Sequence, residues 1–213
     1  LDLVEPWGHA SLSMVNGHDT WNGVVYDPGP NGNDDIGALV TWDLEDGTSK
    51  VVIGPARRHA QSAEHFQSGS QTRHAPLLIP GLNEFDHEQV LYRYRPDLRE
   101  KAALAAYLST TANPRRAFQD LFAVAVERWL SGEFDEEYAE SWPSFKQRCW
   151  KGLHQIIEQA GPSQDIWVFT SGGPITAIAQ QLLTIPDSHI FNLNWSLVNA
   201  GVTRLLYSGN RLS

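Results

Sequence analysis

The 213-residue sequence is poor in the residues that stabilise proteins through covalent or metal links. It contains one cysteine, Cys149, and one methionine. A single cysteine excludes an internal disulfide and a cysteine-based zinc site. No spacing of histidine, aspartate and glutamate resembles a metal-ligand motif. We therefore expect neither a metal nor another cofactor.

Long apolar runs are also missing. No run approaches the roughly 20 residues that a membrane-spanning helix needs. The first residues lack the basic segment and apolar stretch of a secretory signal peptide. We expect a cytoplasmic protein with no membrane partner.

Basic residues are scarce as well, with 16 Lys and Arg against 25 Asp and Glu and a formal net charge of -9. Nucleic-acid partners and anionic membranes require a basic face, so the composition argues against both. The charge is unevenly distributed. Residues 1–56 hold nine acidic residues and one basic residue, Lys50, whereas residues 57–213 are nearly neutral.

Apolar runs alternate with helical periodicities along the chain. Short runs predict strands at residues 1–4, 51–53, 166–170 and 201–207. Three- and four-residue spacing predicts helices from Pro114 to Gly132, from about Ser144 to Gly161, and from Pro174 onward. This alternation predicts an α/β fold, a three-layer sandwich with a mostly parallel sheet and helices on both faces.

Two segments depart from this alternation. Residues 13–35 are rich in Asn, Gly, Asp and Pro, which predicts a loop. Residues from about 85 to 150 form a helical excursion from the sheet. No linker is long enough to separate two units, so we expect residues 1–213 to form a single domain.

Two strand-to-helix turns could bind an anion. In the first, Arg58 follows the predicted strand 51–53, and its planar guanidinium matches phosphate oxygens. In the second, Ser171 and Gly172 follow the strand 166–170, where a glycine lets the backbone and the free N–H groups of a helix approach a ligand. The first turn is equally consistent with a basic helix start at the surface, and the second is also consistent with ordinary turn chemistry.

A third segment, residues 82–88, is acidic. Its Glu84 could act as a general acid or base if it lay beside an anion site. The alternative is a solvated helix start at Asp86.

These three segments together resemble the histidine phosphatase superfamily, which has the phosphoglycerate mutase-like fold. Residues 52–64 read Val-Ile-Gly-Pro-Ala-Arg-Arg-His-Ala-Gln-Ser-Ala-Glu. They are similar to the superfamily pattern Ser-Pro-Leu-x-Arg-x-x-Gln-Thr-Ala-Glu, with Gly54 at the serine. Residues 82–86, 168–175 and 193–207 resemble later segments of one bacterial branch. Order and spacing agree over about residues 51–213.

The resemblance implies a chemistry and a set of site residues. In the superfamily a histidine attacks phosphorus while arginines hold the phosphate. It implies that Arg58 clamps the phosphate, that Glu84 supplies the proton to the leaving group, and that Ser171 and Gly172 donate to phosphate oxygens. Many members have a histidine where this chain has Ser171.

The superfamily's opening motif, Leu-Val-Arg-His-Gly-Gln-Ala-Ser, is degenerate. Residues 3–11 read Leu-Val-Glu-Pro-Trp-Gly-His-Ala-Ser, which places Trp7 at the nucleophilic histidine. An indole nitrogen has no free lone pair, so Trp7 cannot attack phosphorus. His9 is the substitute nucleophile if this turn is remodelled, with Gly8 among the phosphate-binding residues. Five other histidines are expected to be surface or packing residues: His59, His65, His74, His87 and His154.

Three functions follow from this pattern. The first is a phosphatase that hydrolyses a small phosphorylated compound. The second is a catalytically inactive pseudophosphatase that binds inorganic phosphate or a partner through the same pocket. The third is a structural protein with no anion site.

Overall fold

The computed structural model describes residues 10–16, 49–68, 74–160, 165–208 and 211–212. Strands and helices are numbered separately in chain order. The strands are β1 Ala10–Asn16, β2 Ser49–Ile53, β3 Leu77–Leu78, β4 Asp165–Thr170, β5 Val202–Ser208 and β6 Arg211–Leu212. The helices are α1 Arg57–Ser68, α2 His87–Tyr94, α3 Lys101–Ser109, α4 Pro114–Leu130, α5 Trp142–Gln159, α6 Gly172–Leu183 and α7 Asp187–Ser196.

Within the described residues the strands form one sheet in the order β3-β2-β4-β1-β5-β6. The first four run parallel to their neighbours, and β5 and β6 are antiparallel additions at one side. Asn16 of β1 pairs with Thr170 of β4, and Ile53 of β2 pairs with Phe169. The carboxyl ends of these three strands therefore meet at one edge of the sheet.

Alternating side chains of β2 and β4 fill two cores on opposite faces of the sheet. Val51, Trp167 and Phe169 pack with α1, where the Phe66 ring lies 4.6 Å from the Trp167 ring and 5.4 Å from the Phe169 ring. Their neighbours Val52, Ile166 and Val168 join the larger core, which includes residues of α2 to α7. A strand buried on both faces requires such a continuous apolar run. The predicted α/β sandwich with a mostly parallel sheet is confirmed.

The predicted loop over residues 13–35 is wrong at its start, because residues 13–16 belong to β1. Ala10 and Ser11, which the alignment of residues 3–11 matched to the alanine and serine of the opening motif, are the first residues of β1. Ser11 pairs with Asp165 at the amino end of β4, the edge opposite Thr170. The predicted strand at residues 1–4 lies outside the described residues.

The predicted helices are present with small shifts at their starts. α4 begins at Pro114, and the side chain of Asn113 caps it by accepting a hydrogen bond from the Arg116 N–H at 3.0 Å. α5 and α6 each begin two residues before the expected positions. A capping side chain satisfies backbone donors that have no partner within the helix. Among the described helices, none combines the length and the apolar character needed to cross a membrane.

Candidate functional site

The candidate site lies at the carboxyl edge of the parallel strands. Gly54 follows β2, and Ser171 follows β4 and precedes the first residue of α6. The Gly54 N–H donates to the Phe169 carbonyl at 3.0 Å, which ties the two turns together. In open parallel sheets this edge is where ligands bind, because strand ends and helix N-termini converge there.

The side chains of Arg58 and His59 meet at the Ser171 hydroxyl. Nη2 of Arg58 donates to Ser171 Oγ at 2.6 Å. Nε2 of His59 lies 2.6 Å from the same oxygen, so the hydroxyl joins the guanidinium and the imidazole. Ser171 and His59 are fully buried, while Arg58 is half-buried. The result is a cation held in a fixed place at the sheet edge.

The His59 imidazole fills space left by Gly54. A Cβ atom at position 54 would lie 2.6 Å from His59 Nδ1 and 2.6 Å from the Leu82 carbonyl oxygen. A residue with a side chain would therefore have to displace the ring or the backbone beside it. Burial, and secondarily the charge of Arg58, lower the His59 pKa to about 4, so the imidazole is neutral at neutral pH.

Glu84 approaches the same helix N-terminus from another segment. Its Oε2 accepts a hydrogen bond from the Gly173 N–H at 3.2 Å, and its Oε1 accepts one from the Phe85 N–H at 3.0 Å. A Cβ at position 173 would lie 1.9 Å from Glu84 Oε1. The carboxylate therefore occupies its place because residue 173 has no side chain.

The segment that carries Glu84 is fixed by two donors. Nη1 of Arg148 donates to the carbonyl oxygens of Gly81 and Asn83 at 2.9 and 3.0 Å. The same guanidinium forms two hydrogen bonds with the Glu140 carboxylate, which orient it. The Thr170 hydroxyl donates to the Leu82 carbonyl at 2.8 Å and links the segment to β4.

Arg58 and Ser171 are in direct contact, and Glu84 contacts the N-terminal turn of α6 that Ser171 precedes. Gly172, half-buried, is the first residue of that helix. His9 and Gly8 lie outside the described residues. Among the residues that the structure does describe, no group of three or more His, Cys, Asp and Glu could hold a metal ion.

The sequence did not indicate that His59 lies beside Ser171. His59 was expected to be a surface or packing histidine; it is buried, and its Nε2 lies 2.6 Å from Ser171 Oγ. The one available signal was Gly54 at the position of the superfamily's serine. A missing side chain five residues earlier leaves room for an imidazole, but only the packing shows that the two positions are adjacent.

Comparisons with known proteins agree with this architecture. The sequence pattern of the histidine phosphatase superfamily (branch 1) matches residues 30–213. No curated protein sequence matches the chain.

Among solved structures, the chain is similar to an Escherichia coli protein assigned as an alpha-ribazole-5'-P phosphatase, at 13% identity and a TM-score of 0.57 over 96% of this chain and 94% of that one. Bacillus stearothermophilus YhfR gives 12% identity and a TM-score of 0.53 over 96% and 94% of the two chains. At these identities the structures show a shared fold. Because the superfamily pattern covers most of the sequence, the chain belongs to the histidine phosphatase superfamily.

Proposed function

We propose that the protein hydrolyses phosphomonoesters of small compounds at the edge formed by Gly54, Arg58 and Ser171. The observation that carries this proposal is the convergence of a guanidinium, a serine hydroxyl and a carboxylate on one helix N-terminus. A fixed guanidinium and helix N–H groups stabilise the charge that develops on a transferring phosphoryl group. A carboxyl group beside them can move the proton of the leaving oxygen.

The reaction divides into two steps. In the first, a histidine nitrogen forms a bond to phosphorus as the bond to the leaving oxygen breaks, and protonated Glu84 gives that oxygen its proton. In the second, Glu84 takes a proton from water, whose oxygen displaces the histidine and releases phosphate. Arg58 and Ser171 bind the phosphoryl oxygens in both steps.

The position of β1 changes the proposed nucleophile. β1 brings the chain to the site edge at Asn16, which pairs with Thr170 next to Ser171. The residues that follow Asn16 are Gly17 and His18, and both lie outside the described residues. We therefore propose His18, rather than His9, as the histidine that attacks phosphorus.

An aryl phosphate assay tests the activity. Arg58→Ala is expected to lower kcat/KM at least about 100-fold, the size of effect seen when a transition-state donor is removed. Arg57→Ala is the matched control, because Arg57 is the exposed neighbour on the same helix turn. Turnover that survives Arg58→Ala unchanged contradicts the proposal.

Rapid quenching with a labelled phosphomonoester tests the nucleophile. The label is expected on a histidine in the unsubstituted protein and in His9→Ala, and it should be absent in His18→Ala. Labelling that is lost in His9→Ala and kept in His18→Ala would return the role to His9.

One observation favours an inactive phosphate-binding protein as the second candidate. Residues 14–18 read Met-Val-Asn-Gly-His, so Asn16 and Gly17 stand where the superfamily motif has its arginine and histidine. Without the arginine of the opening motif, the transferring phosphoryl group would have fewer cations to stabilise its charge, while Arg58 could still bind an anion. Inorganic phosphate that stabilises the protein, with no turnover of any phosphomonoester, identifies this candidate.

A further inference from the structure

Two exposed apolar residues, Trp195 and Val198, lie where the chain returns from α7 to β5. The side chain region of Trp195, next to the last residue of α7, is 51% exposed, and Val198 in the following turn is 68% exposed. Single exposed apolar residues are common in proteins, but a large aromatic ring beside a ligand site is typical of a binding surface. The position of these residues relative to the candidate site therefore decides what they do.

The pairing of β5 with β1 gives the position of this turn. β5 begins at Val202, which pairs with Val15 of β1. The next residue of β1, Asn16, pairs with Thr170, the last residue of β4 before the candidate site. The turn between α7 and β5 therefore lies at the same edge of the sheet as the candidate site.

Aromatic contacts place Trp195 on the Glu84 side of this edge. The Phe191 ring of α7 lies 6.1 Å from the ring of Phe85, the residue that follows Glu84. Trp195 is one helical turn further along α7, about 6 Å closer to the carboxyl edge. Its ring lies 6.2 Å from the Phe122 ring of α4, at an angle of 85°. This edge contact orients an indole that is still half-exposed.

The segment around Trp195 carries no charge. Residues 188–203 contain no Asp, Glu, Lys or Arg. A hydrogen bond from the Gly201 N–H to the Val198 carbonyl at 3.0 Å closes the turn, and Ala200 within it has a left-handed φ of 57°. An uncharged surface of this kind suits an apolar or aromatic group and offers no partner to a second phosphate or a carboxylate.

We propose that Trp195 determines substrate specificity by stacking on an aromatic ring of the leaving group, with Val198 extending the apolar contact. The substrates are then phosphomonoesters of uncharged alcohols that carry an aromatic ring. The inference rests on the proposed function, in which Glu84 protonates the leaving oxygen and the leaving group therefore points toward Glu84. Covering the exposed indole with a second ring adds apolar burial and an aromatic contact to the binding of phosphate.

Calorimetric titration with two phosphonates tests this specificity without turnover. 2-Phenylethylphosphonate and ethylphosphonate carry the same anionic group on a carbon atom, so neither is an ester that the protein could hydrolyse. The unsubstituted protein should bind the phenylethyl compound at least about tenfold more tightly. Trp195→Ala should remove most of this preference and leave the affinity for ethylphosphonate unchanged.

Further variants separate stacking from an effect on folding. Trp195→Phe and Trp195→Leu both keep an apolar side chain against Phe122, and only Trp195→Phe keeps a ring. Trp195→Phe should therefore show the larger preference for the phenylethyl compound. Leu183→Ala is the matched control, because Leu183 is also exposed but lies at the far end of α6 from Ser171.

The outcomes separate this inference from the proposed function. Equal affinities of the unsubstituted protein for the two phosphonates contradict only the role of Trp195. A preference that persists in Trp195→Ala, or that falls equally in Leu183→Ala, also overturns that role. Binding of neither phosphonate contradicts the proposed function as well. A preference that depends on a ring at position 195 supports both.

Discussion

At the scale of single residues, the Glu84 carboxylate depends on the missing side chain at position 173. Gly173→Ala would put a Cβ 1.9 Å from Glu84 Oε1, so the carboxyl group must leave the site. If Glu84 supplies the leaving-group proton, kcat should fall about 100-fold or more for an alkyl phosphate. The loss should be smaller for a nitrophenyl phosphate, whose leaving group needs no proton.

Steady-state kinetics of Gly173→Ala, Glu84→Gln and the double variant check this prediction. The double variant should be no worse than Glu84→Gln, because both changes remove the same group. Equal losses for the two kinds of ester would contradict the role of Glu84 as an acid.

His59 should make the stability of the protein depend on pH. Its pKa is lowered from 6.5 to about 4 by burial and by Arg58, so the unfolded chain binds a proton that the folded chain excludes between these values. The free energy of unfolding therefore has its full value above pH 6.5 and decreases as the pH falls toward 4. The decrease amounts to about 3 kcal/mol, since one pKa unit corresponds to about 1.4 kcal/mol.

Urea unfolding of the unsubstituted protein and His59→Gln between pH 4 and pH 7 measures this contribution. The difference between their free energies of unfolding should grow in favour of the unsubstituted protein as the pH rises. A difference that is constant over this range would show that His59 titrates normally in the folded protein.

At the scale of elements, Arg148 of α5 holds the segment that carries Glu84. It donates to two backbone carbonyls of that segment and pairs with Glu140. Arg148→Ala should lower the free energy of unfolding by about 2 kcal/mol, because hydrogen bonds from charged donors are lost together. It should also lower kcat, because the segment that carries Glu84 would no longer hold the Glu84 carboxylate in place.

Chemical denaturation and kinetics of Arg148→Ala test this link. Arg116→Ala is the matched control, because Arg116 is exposed and its ion pair with Asp120 spans 3.7 Å. An exposed pair of this kind contributes about 0.5 kcal/mol. Equal effects of the two substitutions would contradict a special role for Arg148.

Strands and helices were predictable to different degrees. β4 and α4 follow directly from a buried apolar run and a helical apolar period. β1 was overlooked, although Ala10, Leu12 and Met14 alternate with serines as strand residues do. The Asn- and Gly-rich stretch that follows it gave a stronger composition signal and extended the predicted loop into the strand.

The residues of the candidate site were predictable where a local sequence pattern identifies them. Arg58, Glu84 and Ser171 each lie in a segment that resembles the superfamily, whereas His59 contacts Ser171 only because the chain folds Gly54 and Ser171 around it. A sequence pattern does not show which residues will surround a side chain in the folded protein. The shift of the proposed nucleophile from His9 to His18 likewise required the register of β1 against β4.

At the scale of the whole molecule, the fold brings three segments that are distant in sequence, those of Arg58, Glu84 and Ser171, to one edge of the parallel sheet. Anything that binds only the folded protein stabilises it, so phosphate at about 100 times its Kd should add about 2.7 kcal/mol. For a protein of this size that corresponds to an increase in Tm of about 5 to 10 °C. Chloride at the same ionic strength should not reproduce the increase.

The central claim is that this edge binds phosphate through Arg58, and calorimetric titration of inorganic phosphate tests it most directly. The account predicts one phosphate per chain for the unsubstituted protein and for Arg57→Ala, and binding at least about tenfold weaker for Arg58→Ala. Equal weakening by the two arginine substitutions would show only a general charge effect. Unchanged binding in Arg58→Ala, or no binding by the unsubstituted protein, would contradict the account.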